Sequence, residues 1–153
     1  MRSGLVTCAA VCAAVWASSA VATDDGVSAI ASRFSDAMAH TKALPRKDLG
    51  ATIEIWHVPA VAGDPEIVNK NVFGSDLPVL KRAMRDFHMD VTSVKVEPDS
   101  FTIGLIMRGT PAGGEAYTSR ISLRFIVANG VVTGLEAAQD PLERAVLERI
   151  EAR

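Results

Sequence analysis

Apolar residues along this chain change their spacing several times, and each change marks an element. Val27, Ile30, Phe34, Ala37 and Met38 recur in three- and four-residue steps behind Asp24 and Asp25. That is the period of a helix with one buried stripe, and the aspartates suit the positive end of its dipole. The spacing predicts a helix from Asp25 to about His40, broken by Leu44-Pro45-Arg46-Lys47-Asp48. Ala51 to Val58 then reads as a strand that stops before Pro59.

Residues 60–74 carry Gly63, Asp64-Pro65, Asn69, Asn71 and Gly74, a loop signal with room for one short strand. Ser75 or Asp76 can cap a second helix, Pro78 is tolerated in its first turn, and Leu77, Leu80, Met84 and Phe87 mark its stripe. After His88 the period becomes two: Val91, Ser93 and Lys95 alternate with Thr92, Val94 and Val96, and Phe101 to Arg108 continues beyond a turn at Pro98-Asp99. Pro111 to Gly114 turns the chain into a long strand from Tyr117 to Ala128. Asn129-Gly130 is a hairpin signal leading into Val131 to Gln139. Asp140-Pro141-Leu142-Glu143 joins an N-cap, a proline at the first helical position and a glutamate three residues after the cap, so a last helix runs to the C-terminus. The order predicts an α+β domain with a largely antiparallel sheet.

The first 22 residues change the setting. Arg2, an apolar stretch of about 13 residues and the small-x-small triplet Ala20-Val21-Ala22 have the form of a cleavable signal peptide. The stretch is shorter than the roughly 20 residues of a membrane span. The expectation is an exported protein, periplasmic or secreted, with residues 23–153 as one domain. Both cysteines, Cys8 and Cys12, fall in the segment to be removed, and neither follows a small residue as a lipid-attachment site would require. The mature core is then expected to hold without a disulfide.

Charge and residue inventory narrow the chemistry. A net charge of −2 with interspersed signs gives no nucleic-acid or anionic-membrane signal. His40, His57 and His88 lie on separate elements, so no metal is expected. No glycine-rich loop enters a helix after a strand, so no nucleotide or other cofactor is expected either.

The element order, with Trp56-His57-Val58-Pro59 closing the first strand and Asn129 to Leu135 opening the last hairpin arm, resembles the SnoaL-like branch of the nuclear transport factor 2-like superfamily over about residues 26–148. The resemblance implies a cone: a curved, largely antiparallel sheet wrapped around helices, whose open end holds a small, mostly apolar ligand. It implies a lining that includes Ile55, His57, Ile106, Arg108, Leu135 and Ala137. Members range from ketosteroid isomerases, polyketide cyclases and limonene-epoxide hydrolases to binding modules without chemistry, so the fold does not choose a function. The charged positions of the limonene-epoxide hydrolases fall on Gly104, Ile106 and Ala137, which cannot move a proton, and a water-holding asparagine falls on His57. Ketosteroid isomerases place a carboxylate base near the end of the first strand, where His57 is the nearest titratable group. Tyr117, the single tyrosine, lies on a different element from the one those enzymes use.

His57 is accordingly the candidate catalytic residue, since imidazole takes up a proton near neutral pH; its competing reading is a satisfied structural side chain. Arg108 shares strand parity with Gly104 and Ile106, and a cation facing the pocket could hold an enolate oxygen; otherwise it lies in solvent. Glu136 is ambiguous. An uninterrupted hairpin puts it on the face of Ile121, Phe125 and Val127, whereas the resemblance points Leu135 and Ala137 inward, and a β-bulge in either strand would reconcile the two. Asp140 reads as a helix cap. Arg120 and Arg124 belong to the outer sheet surface, where a homodimer contact stays open. Two functions compete: binding of a small apolar molecule in the cone, and a cofactor-free isomerase, cyclase or hydrolase with His57 as general base and Arg108 as oxyanion partner.

Overall fold

The computed structural model describes residues 24–74 and 76–151; the leader expected over residues 1–22 and the candidate cap Ser75 lie outside them. Helix α1 (Asp24–Ala39) buries the five apolar positions its spacing singled out. A short 3-10 turn at Arg46–Asp48 reverses the chain. There the buried Asp48 carboxylate accepts from Arg33 of the helix, 2.6 Å from Nε and 2.8 Å from an Nη. This fork-on-carboxylate contact fixes α1 against the start of β1 (Leu49–Val58).

The loop that follows holds a short strand, β2 (Glu66–Asn69), and a one-turn helix, α2 (Lys70–Phe73), whose Asn69 cap accepts from Asn71 N–H. Helix α3 (Asp76–Ala83) is shorter than its stripe suggests: the chain is already extended at Met84, the first residue of β3 (Met84–Glu97). Met84 and Phe87 are buried, but as strand residues. An extra residue between Arg85 and His88, with Asp86 at φ 53°, returns two side chains three apart to the same face. Both close over Gly109, where a Cβ would come within 2.9 Å of Met84 Sδ and 3.3 Å of Phe87 Cδ2.

Strands β4 (Ser100–Pro111), β5 (Tyr117–Ala128) and β6 (Val131–Gln139) complete the sheet, and α4 (Pro141–Glu151) ends the described chain. The strand order is β2-β1-β6-β5-β4-β3, antiparallel throughout except for the parallel pair β1–β6. The fold is α+β with a curved, unclosed sheet. Bulges in β3 and β6 and a longer irregularity in β1 supply local bends. No helix among the described residues is long and apolar enough to cross a membrane.

Each long strand sorts its side chains between two faces. On β4, Phe101, Ile103, Leu105 and Met107 are buried on the inward face, against which α1 packs, while Thr102, Gly104, Ile106 and Arg108 alternate with them on the outer one. The innermost layer is an aromatic trio. Phe34 of α1 meets Phe101 and Phe125 edge-on at centroid distances of 5.5 and 5.1 Å, and those two stack at 4.9 Å.

At the β5–β6 hairpin, Asn129 and Gly130 both take the left-handed backbone of a two-residue turn. Val127 pairs with Val132 but Ile126 pairs with Gly134, so Thr133 is an extra residue. This one-residue bulge sets the parity of everything after it: Ala137 stands opposite Leu123 on the inward face, and Glu136 opposite Arg124 on the outer face.

Candidate functional site

Burial along the inward face falls off along β1 and β6 and in the middle of β5, while Ser119 and Tyr117 at the start of β5 are buried again. On β1, Ile53 is fully buried, Ile55 and His57 partly; on β5, Phe125 is fully buried, Leu123 and Ile121 partly; on β6, Leu135 is buried, Ala137 and Gln139 partly. These three strands are neighbours, with Ile55 beside Leu135, His57 beside Ala137, Ala137 opposite Leu123 and Gln139 opposite Ile121. The partly exposed residues of this face thus gather where β1 and β6 end, beside Leu123 and Ile121 of β5.

His57 stands among them. Its Nδ1 lies 2.7 Å from Asp64 Oδ1, and because a carboxylate only accepts, the ring proton sits on Nδ1. Asp64 Oδ2 accepts from the backbone N–H groups of His57 at 3.2 Å and Val61 at 2.9 Å. The hydrogen bond from His57, followed by that from Val61, holds the Asp64 carboxyl below the ordinary carboxylate range. The two side chains are 22% and 6% exposed. Sequence reasoning missed Asp64 because Asp64-Pro65 reads as turn chemistry. The only signal would have been a carboxylate seven residues after the histidine, across a loop that brings them together.

A second polar group sits at the start of β5. Gln139 Nε2 donates to Tyr117 Oη at 3.1 Å and to Ser119 Oγ at 2.9 Å, while Ser119 Oγ donates to Glu143 Oε2 at 2.5 Å and Tyr117 Oη to the Glu143 carbonyl at 3.0 Å. These bonds hold the first turn of α4 to the sheet, and Arg144 donates to the Pro59 carbonyl at 3.5 Å. Val146 and Leu147 pack on the core and Ile150 is buried. A cavity of about 480 Å³ remains between α4 and the β4–β5 turn, lined among others by Pro111, Tyr117, Leu142, Val146 and Ile150. A trough of about 550 Å³ crosses the outer face over Gly104, Ser122, Ala138 and Val58. Neither takes in His57.

Of the lining residues expected from the sequence, Ile55, His57, Leu135 and Ala137 share the inward face. Ile106 and Arg108 do not. Strand parity turns both outward with Gly104, because β4 commits Phe101, Ile103, Leu105 and Met107 to the core. Arg108 bonds Asp90 of β3 there and is no oxyanion partner for His57. Arg120 also lies outside, and Arg124 is paired with Glu136 at 3.2 and 3.4 Å, so Glu136 is an outer-face ion-pair partner. Asp140 is the cap of α4, its Oδ1 accepting from Leu142 N–H at 2.8 Å and Glu143 N–H at 3.3 Å.

No family model matches the chain, and no curated protein does. Solved structures do. A candidate SnoaL-like polyketide cyclase from Jannaschia sp. CCS1 superposes with a TM-score of 0.59 at 17% identity, over 84% of this chain and 94% of that one. A nuclear transport factor 2-like protein from Burkholderia thailandensis E264 gives 0.61 at 17%, over 78% and 95%. A de novo designed protein with a curved β-sheet gives 0.56 at 13%, over 82% and 94%. A designed chain among these neighbours makes plain that the likeness is one of fold, and that function must come from the site.

Proposed function

Because this chain has the SnoaL-like form of the nuclear transport factor 2-like fold, we propose that it is an exported domain that binds a small apolar molecule at the open end of its cone. The observation that carries the reading is the burial gradient. Ile55, Ile121, Leu123 and Ala137 face inward like their fully buried neighbours yet remain partly exposed. Such apolar surface, with a few polar groups beside it, is how small-molecule sites are built. Native mass spectrometry of protein purified from its own host tests it: a retained small apolar molecule, absent from a Leu123→Arg variant, is the expected result, and ligand-free protein that also fails to take up an apolar fluorescent dye would end the proposal.

Export follows from the leader and predicts a mature N-terminus at Thr23; an intact Met1 on protein from the native host would sink it. A homodimer through the outer sheet face belongs to the same reading, supported by Trp56, Val58 and Ile67, which stand exposed there. Sedimentation of the purified protein decides between one copy and two. The competing enzyme reading loses Arg108 as a partner and keeps His57, now with Asp64 behind it.

A further inference from the structure

We propose that His57 and Asp64 form a fixed acceptor for a ligand hydroxyl, so that the molecule taken at the open end is neutral, apolar and carries one weakly acidic O–H, as a phenol or an enol does. The proposal rests on the binding reading above and adds the chemistry of the ligand. Free imidazole exchanges its proton between two nitrogens, but here Asp64 can only accept, which assigns the proton to Nδ1 and leaves a lone pair on Nε2. Asp64 cannot swing away freely: its second oxygen is held by two backbone N–H groups, and its side chain is 6% exposed. Nε2 has no partner among the described residues and is reached by solvent, since no buried side-chain nitrogen or oxygen there lacks a partner; the ring is 22% exposed and stands beside Ala137. An acceptor unmatched by protein is open to a ligand donor in place of water, and the neighbouring aliphatic side chains accommodate the rest of that ligand. The carboxylate on the far side of the ring steadies any positive charge that develops when the hydroxyl shares its proton, and disfavours a ligand that arrives already anionic.

Long-range proton–nitrogen correlation NMR on labelled, ligand-free protein reads the tautomer directly. His57 is expected to be protonated on Nδ1 and bare at Nε2 at mildly alkaline pH. Asp64→Asn keeps a carbonyl oxygen for the two backbone donors but can turn an amide N–H toward the ring, so the tautomer should invert. A parent ring protonated on Nε2, or one indifferent to Asp64→Asn, overturns the proposal. Affinities for 2-naphthol and its methyl ether, 2-methoxynaphthalene, supply the ligand arm. The parent should prefer naphthol by about fivefold to tenfold, the worth of one hydrogen bond, and His57→Phe and Asp64→Asn should bind the two alike. Equal affinity in the parent overturns the hydroxyl assignment. Failure to bind either probe would overturn the binding reading instead, a result separable from this one because the tautomer is measured without ligand.

Discussion

The deep and open ends of the inward face are made by the same three strands and differ in what those strands carry. At the deep end Phe125 packs against Phe34 of α1 and Phe101, Ile53 and Leu135 are buried on the same face, and both Ile53 and Phe125 are excluded from solvent. Two to four residues along, the same face offers His57, Leu123, Ala137 and Gln139, all partly exposed. Side chains shrink or become polar while the backbone pattern continues unchanged. Strand alternation thus decides which face a residue joins, and side-chain volume decides whether that part of the face becomes core or cavity.

The largest effect belongs to the deep end. Phe125→Ala removes a ring in contact with two others and should cost about 3 to 5 kcal/mol in denaturant unfolding. A loss below about 1 kcal/mol would show that the trio is loosely packed and that the contrast between the ends is false. The matching change at the open end should act on binding. Ala137→Asp places a carboxylate beside His57 and opposite Leu123, where desolvation raises its pKa and a neutral apolar ligand loses its fit. Affinity should drop about tenfold or more, equivalent to at least one unmatched polar contact. Unchanged affinity would remove Ala137 from the site.

How far the sequence reveals this contrast depends on the element. The stripe of α1, the Asn129-Gly130 turn and the Asp140 cap are local signals, each complete within a few residues, and all three are present in the structure. The face of Glu136 required a bulge that the sequence only allowed, and Thr133 provides it. Met84 and Phe87 imitate a helical stripe because a bulge and a helical turn both bring residues three apart to one side. On β4 the large apolar residues Phe101, Ile103, Leu105 and Met107 already marked the core face, and the family comparison pulled Ile106 and Arg108 the wrong way. Asp64 was invisible for a different reason: its partner is fixed by the path of a loop, which no periodicity encodes.

Smaller effects sharpen the comparison at the start of α4 and beside His57. Asp140→Ala removes an acceptor for two backbone N–H groups and should destabilise the domain by about 1 kcal/mol in thermal melts, with ligand affinity unchanged. Affinity lost at full stability would place Asp140 in the site. Asp64 should show itself through pH. Its folded pKa lies below the ordinary value near 4, so its carboxylate contributes stability at and above pH 5 that is lost as pH falls through the folded value. The melting temperatures of the parent and Asp64→Asn should therefore differ most above pH 5 and draw together in acid. Curves that stay parallel down to pH 2 would mean that Asp64 is not held as a carboxylate.

The smallest expected effect comes from the face the family comparison favoured. Arg108 lies on the outer side of β4, half exposed and paired with Asp90, across the sheet from His57 and Ala137. Exposed ion pairs contribute little, so Arg108→Ala should change stability by less than about 1 kcal/mol. A sheet one residue thick separates the outer side chain from any ligand on the inward face, so affinity for an apolar probe should not change at all. Ala137→Asp, assayed beside it with the same probe, supplies the contrast: two substitutions of charge, one on each face, of which only the inward one weakens binding. Should Arg108→Ala weaken binding as strongly as Ala137→Asp, the ligand occupies the outer trough over Gly104, Ser122 and Ala138, and the open end of the cone is only the less crowded part of a core.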